Sequence, residues 1–342
     1  MFYPLKKLLM KAIIKKRQKT AFDYPAAEAY VLPADADETV NNSYYFSAHG
    51  LDGTSLYCRL GIRSSFREVW FLYKKGDCVY THKTLIHKED CPLTCERVEE
   101  GWRFSYRGAL TDDAGKEHEA SFLGTFVSRE APVDFFSHMP PVCTARAMAG
   151  ERWSRAFFSE VQKNNQVHYE QFGRLTGVLS LDGEELGIDL PCVRDHSFGT
   201  RRWSYMNNHL WLMAVREDSQ LNFSMVSYPA MSVLELGNFK PREGGMRYIE
   251  SAEYDRAAIT AQDVPERLAL TLRLSDGGSI GVEVECRYAT EYLFRDEGSY
   301  RLLEGIADLK IDGVSYRGIL ELGFNGDTGR IFNGKEIRKL RV

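Results

Sequence analysis

Turn-forming pairs recur along this chain at intervals that suit strands and leave no room for helices. Asp52-Gly53, Lys75-Gly76, Glu100-Gly101 and Ala114-Gly115 stand between runs rich in Tyr, Leu, Ile, Val and Phe. These runs are Ser55 to Arg63, Glu68 to Lys75, Asp77 to His87, Trp102 to Leu110 and His118 to Ser128. Glycine supplies the positive φ that tight hairpins demand. Alternating runs so spaced, without helical periodicity between them, predict an antiparallel sandwich or barrel rather than βαβ units. The pattern resumes after an interruption: Val167 to Leu181 turns at Asp182-Gly183 into Glu185 to Arg194, and later runs turn at Asp276-Gly277 and Asp312-Gly313. A length of 342 residues exceeds one average domain, and each half has about enough strands for one closed barrel.

The interruption divides the chain. Pro132, Pro140 and Pro141 open it, and Thr144 to Gln162 follows with a loose helical pattern, with a short helix expected around Trp153 to Val161. It reads as a bridge. The expected organisation is therefore an N-terminal helix over residues 1–20, a first β domain over 21–165 that includes the bridge 131–165, and a second β domain over 166–342.

In the N-terminal helix, Leu5, Leu8, Leu9, Ala12 and Ile13 fall on one face, while Lys6, Lys7, Lys11, Lys15, Lys16, Arg17 and Lys19 supply charge. It lacks the unbroken apolar core and cleavage site of a secretory signal, and no other segment has the apolar length of a spanning helix. The reading adopted is a helix docked on the body with a lysine-rich outer face; the alternative is an interfacial helix in peripheral contact with anionic membrane. A net charge of −4 gives no reason to expect nucleic acid as a partner. Seven cysteines without paired spacing read as free thiols of a reducing cytoplasm. His82, His87, Cys91 and Cys95 can be drawn as a zinc site, but the run reads better as a solvated hairpin, so no metal is expected. No phosphate-binding loop and no Gly-x-Ser-x-Gly elbow appears, and no cofactor is implied.

Chemistry concentrates in Arg194-Asp195-His196-Ser197-Phe198-Gly199-Thr200-Arg201-Arg202-Trp203, where an acid, an imidazole, three guanidiniums and an indole share ten residues. A carboxyl group in an apolar cavity would have its pKa raised and could serve as an acid near neutral pH, whereas an ion pair with the adjacent Arg194 would lower the pKa of Asp195 and argue against a general acid. Along a strand, adjacent side chains point to opposite faces. Arg194 and His196 then share one face and Asp195 takes the other, while His168 and Glu170 share a face of their own strand. If those faces meet, a His, a Glu and an Asp form an acid–base set. The competing reading is a buried hydrogen-bonded network that only locks a barrel corner. Arg201, Arg202 and Trp203 either cap the barrel mouth by cation–π stacking or hold an anionic group. Glu304 and Glu321 are a carboxyl pair on the last two strands, open to either a catalytic or an exposed role.

His168-Tyr169-Glu170-Gln171, Gly173, Gly177, Asp182-Gly183 and the Arg194-to-Gly199 stretch with Arg201 and Trp203 resemble the AttH-like, or carotenoid 1,2-hydratase-like, lipocalin family. Tocopherol cyclases are distant members, and the likeness is greatest to a branch with an Arg-Asp-His-Ser-(Trp/Phe)-Gly signature. The resemblance spans about Asn42 to Phe324. It implies an all-β fold, a tandem of two lipocalin-like (calycin) antiparallel barrels or sandwiches, with a ligand cavity at or near their interface. It also implies that Asp195 protonates a carbon–carbon double bond. Two departures weaken the polyene version of this chemistry: Glu170 stands where an indole would steady a cation, and Phe198 replaces the commoner Trp. The resulting expectation is a cytoplasmic, cofactor-independent hydratase, cyclase or isomerase acting on an isoprenoid, steroid or polyketide-like molecule. Its catalytic candidates are Asp195, His168, Glu170 and His196; its substrate-binding candidates are Arg194, Phe198, Arg201, Trp203 and Glu304. The alternative is a non-catalytic carrier of an apolar ligand.

Overall fold

The computed structural model describes residues 2–19, 22–163, 166–228, 231–255, 258–259, 263–294, 300–325, 330–332 and 335–337. The chain begins with α1 (Tyr3–Arg17) and α2 (Tyr24–Glu28). Nine strands follow: β1 (Val40–His49), β2 (Ser55–Ile62), β3 (Arg67–Lys75), β4 (Cys78–Thr81), β5 (Ile86–His87), β6 (Leu93–Val98), β7 (Gly101–Asp112), β8 (Glu117–Val127) and β9 (Val133–Asp134). Two helices, α3 (Pro141–Ala149) and α4 (Arg155–Lys163), precede the long hairpin β10 (Gln166–Leu181) and β11 (Glu184–Thr200). The remainder is a meander of β12 (Asn208–Arg216), β13 (Ser219–Tyr228), β14 (Met231–Lys240), β15 (Arg247–Tyr254), β16 (Arg267–Leu274), β17 (Ser279–Phe294), β18 (Tyr300–Ile311) and β19 (Val314–Asn325). Most of the tail beyond Asn325 lies outside the described residues.

Two closed antiparallel barrels result. The first runs β1-β2-β3-β4-β7-β8-β10-β11 and closes where β11 pairs with β1; the second runs from β12 to β19 and closes where β12 pairs with β19. The Asp-Gly pairs act as the turns the sequence predicts. Asp182 and Gly183 have φ of 49° and 87°, and Asp312 and Gly313 have 46° and 82°, so both residues of each two-residue loop are left-handed, as a twist-matched hairpin requires.

The sequence-based division at 165–166 does not follow the strand pairing. Residues 166–200 form β10 and β11, which pair with β8 and β1 of the first barrel. The segment 131–165 is therefore an excursion between two strands of one barrel, and its α3 packs on β14 and β15 of the other. A local strand pattern contains no information about which strands pair across long separations.

Both barrel interiors are filled. Phe46, Phe71, Phe104, Phe122, Phe126 and Leu175 pack the first, and Leu212, Phe223, Leu270, Leu309 and Leu320 belong to the core of the second. A third apolar cluster joins the barrels, bringing Tyr57, Trp70 and Val193 against Met213, Ile306 and Ile319. Strands at this junction are buried on both faces, and β1 is buried from Asn41 to His49.

α1 docks through Met10 and Ile14, which meet Ala145, Met148 and Phe157. The expected apolar face of Leu5, Leu8, Leu9 and Ile13 is left exposed, so the helix is docked but its outer face is not simply lysine-rich. Among the described residues no helix is long and apolar enough to cross a membrane.

Candidate functional site

Strand alternation splits the 194–203 stretch in two. Arg194 and His196 point into the first barrel. The Arg194 guanidinium is fully buried and ion-paired with Glu28 of α2, which also accepts hydrogen bonds from Trp102 Nε1 at 2.8 Å and Tyr169 Oη at 2.6 Å. Burial pushes the Glu28 carboxyl up, but the bonds and charge of Arg194 outweigh it and hold it low. His196 bonds Tyr169 Oη at 2.6 Å and Asn42 Oδ1 at 2.8 Å and stacks on Tyr44. Burial, then the charge of Arg194, lowers its pKa to about 3, so it is a neutral bridge. Phe198 stacks on Tyr30 at 4.0 Å. Arg194, His196 and Phe198 do not line the cleft described below, which corrects their expected catalytic and substrate-binding roles; they lock α2 and the barrel end.

Asp195 points the other way, out of the first barrel and toward the second. Its register partners are Tyr45 on β1 and Glu170 on β10, and directly opposed residues on adjacent strands share a face. His168, two residues before Glu170, completes the row. His168 Nε2 and Asp195 Oδ2 are in direct contact, and Glu170 Oε1 lies 3.9 Å from the same nitrogen. Burial works to raise the Asp195 pKa, but the charge and hydrogen bond of His168 outweigh it, and Asp195 is held below the usual range. This reverses the expectation of a raised Asp195. The raised carboxyl is Glu170, pushed well up by complete burial and then by the charge of Asp195. Neither Glu170 oxygen has a hydrogen-bond partner. The arrangement sets a carboxyl pushed toward its neutral form, Glu170, behind a carboxyl held toward its ionised form, Asp195, which contacts His168. Phe135 stacks parallel on the His168 ring at 4.2 Å.

Asp195 and His168 open onto a cleft of about 310 Å³ between the barrels. This placement is the cavity at or near the barrel interface that the resemblance implies, not a cavity inside one barrel, because large side chains occupy both lumens. Apolar walls come from Phe135, Phe136, Val226, Leu234 and Leu236, and indoles from Trp70, Trp203 and Trp211. Arg201 lies over Trp203 and Arg59 over Trp70, each 4.8 Å from the ring centre. Arg59 is tied to Glu68 at 2.7 Å. Arg201 and Trp203 both line the cleft.

The facing wall carries a second acid–base pair. His209 Nε2 bonds Glu321 Oε1 at 2.6 Å, and its Nδ1 bonds Tyr300 Oη at 2.6 Å. Glu321 is the cross-strand partner of Glu304 on the last hairpin of the second barrel, just as Asp195 is of Glu170 on the last hairpin of the first. Complete burial, then the charge of Glu321, raises Glu304 far above its usual range, whereas hydrogen bonding by His209 outweighs burial and keeps Glu321 low. Glu304 lies behind Glu321, bonded to Tyr45 Oη, rather than lining the cleft. Both Asp195 and Glu321 also feel the Arg201 charge.

Sequence reasoning did not single out His209, Trp211, Trp70 or Tyr45. The one available signal is alternation on β12, where His209 and Trp211 interleave with the core residues Leu210 and Leu212. Among the described residues, the ligand atoms of His168, Glu170 and Asp195 form the one group within 4.8 Å that could hold a metal. Near the expected hairpin, His82 instead bonds His87 and Tyr106, and Cys91 bonds the Leu93 carbonyl.

Residues 25–325 match the family model described as Domain of unknown function (DUF7064). No curated protein matches the chain by sequence. Among solved structures, AttH from Nitrosomonas europaea is 12% identical with a TM-score of 0.54, over 89% of this chain and 97% of that one. Kievitone hydratase from Nectria haematococca is 11% identical with a TM-score of 0.51, over 86% and 92%. These likenesses establish a shared AttH-like, lipocalin-type fold.

Proposed function

We propose that this chain, which belongs to the family described as Domain of unknown function (DUF7064), is an enzyme that adds a proton to a carbon–carbon double bond of an apolar small molecule. Isoprenoid, steroid and polyketide-like compounds are the substrate classes that suit the cleft. The observation that carries this reading is the contact of His168 with Asp195 at the wall of an aromatic cleft, backed by the unpartnered Glu170. Its fold likeness to a hydratase supports the same reading.

Asp195 orients the imidazole through Nε2, and in its proton-loaded form the pair transfers one proton to an alkene carbon and is left as a neutral imidazole beside an ionised carboxylate. The electron pair of the double bond forms the new C–H bond, leaving a cation on the neighbouring carbon. Trp211 presents an indole to the cleft at that stage, which favours positive charge. Water then adds its oxygen to the cation and gives a proton to the ionised Glu321, which His209 holds in place. Loss of a carbon-bound proton to the same group yields an isomer instead; attack by a second double bond closes a ring and moves the cation to a new carbon, which then loses a proton to Glu321 or takes up water. Cleft size agrees with a small ligand, since such sites span about 300–1,000 Å³.

The test uses prenylated phenols and open-chain isoprenoid alcohols as probes in D2O, with mass spectrometry of products. Wild type introduces carbon-bound deuterium. Asp195→Asn lowers that rate by about 100-fold or more while native mass spectrometry still shows ligand bound. Undiminished turnover in Asp195→Asn refutes the mechanism. Ligand retention by the wild type, with no deuterium entering any probe, favours the carrier reading.

A further inference from the structure

Among the described residues the outer face of α1 joins no apolar cluster, yet it carries a run of exposed apolar side chains. Leu5 is 55% exposed, Leu8 66%, Leu9 43% and Ile13 39%, and Phe2 before them is 78% exposed. Helical spacing places these residues on one side of the cylinder. Met10 and Ile14, which dock on α3 and α4, lie on the opposite side. The strip is therefore not a core face that failed to find its core; the docking is done by other residues. Seven basic residues and no acidic residue occupy positions 2–19. Lys11 and Lys15 are exposed beside the strip. An apolar strip bordered by lysines suits the boundary between anionic headgroups and acyl chains.

Position adds a second argument. Gln18, just past the end of α1, donates hydrogen bonds from Nε2 to the carbonyls of Phe136 at 2.5 Å and Met139 at 2.9 Å. Phe136 lines the cleft and is itself 44% exposed, and Thr144 of α3, the helix under α1, lines it too. The C-terminal end of α1 and the helix beneath it thus lie next to residues of the cleft wall.

We propose that α1 is an interfacial anchor that lays its Leu5–Leu8–Leu9–Ile13 face into an anionic lipid surface and holds the cleft opening against it. An apolar molecule dissolved in the bilayer then reaches the cleft without crossing water. Anchoring itself does not depend on the proposed reaction, although its use for substrate delivery rests on that reading.

The test is co-sedimentation of the full chain with vesicles of phosphatidylcholine alone or with about 30 mol % phosphatidylglycerol. The expected result is binding at least about tenfold tighter to the anionic vesicles, weakened by salt. The double substitution Leu8→Glu with Leu9→Glu lowers it by about tenfold or more, with an unchanged thermal melt, because neither side chain makes the docking contact. Wild type left in the supernatant with both vesicles, or a double variant that binds as wild type does, overturns the proposal. So does a wild-type dimer that the double variant turns into a monomer without vesicle binding, since the face then belongs to a second copy. Vesicle binding without deuterium transfer to any probe leaves the anchor standing and removes the proposed reaction.

Discussion

Replacing Glu28 with Ala tests whether the concentration of charge at 194–203 is really two machines on two faces of one strand. Glu28 is 4% exposed, and its carboxylate satisfies the buried Arg194 guanidinium, the Trp102 indole and the Tyr169 hydroxyl. Without it, a fully desolvated cation has no counter-charge and keeps long hydrogen bonds to Gln171 Oε1 at 3.4 Å and Tyr24 Oη at 3.5 Å and its place over the Trp102 and Tyr169 rings. Breaking a buried pair from one side costs ~3–5 kcal/mol, because the remaining charge is left uncompensated. In urea the unfolding midpoint should fall by about 1–2 M for a chain of this size. Tryptophan fluorescence at equilibrium measures it. Asp195→Asn, one residue along the strand but facing the cleft, should stay within about 1 kcal/mol of wild type, because its partner His168 is partly open to solvent. Removing both charges, by Glu28→Leu with Arg194→Met, should recover most of the loss. A Glu28→Ala midpoint within about 0.3 M of wild type would refute the assignment of Arg194 to a buried structural pair.

Two further predictions concern pH. Glu170 keeps its proton in the fold while the unfolded chain releases it near the ordinary value of 4.5, so its contribution to stability declines as pH rises above that value. Glu170→Gln should therefore flatten the loss of urea stability between about pH 5 and 8 and leave the variant the more stable protein at the upper end; an unchanged slope would show that Glu170 is ionised when folded. His49 and His196 behave oppositely, each lowered from 6.5 to about 3 by burial first and a nearby arginine second. Unfolded histidine takes up a proton below 6.5 and the folded ones do not, so their contribution is present above 6.5 and is lost as pH falls toward 3. His49→Gln should reduce the drop in urea midpoint between about pH 7 and pH 4, and an equal drop in the variant would count against a buried neutral His49.

Sequence alone decided whatever depends on neighbours within a strand or turn. The Asp182-Gly183 and Asp312-Gly313 pairs set hairpins because only residues tolerant of positive φ fit there. Alternation with a period of two separated Asp195 from Arg194 and His196, and put His168 and Glu170 together, before any strand was placed. It could not tell which face would be a barrel interior and which would meet a second barrel. That was decided by pairing between distant strands: β11 with β1 closes the first barrel around Arg194 and leaves Asp195 outside it. The same long-range closure moved residues 166–200 into the first barrel and aimed His209 and Glu321 at the cleft from the second. It also set the protonation. Asp195 looked like the raised acid when only its apolar surroundings were considered, but contact with His168 reversed its direction and passed that state to Glu170. Local sequence fixes the face a side chain takes, because the strand repeat is short. What that face meets, and therefore which proton it holds, depends on contacts between residues far apart in the chain.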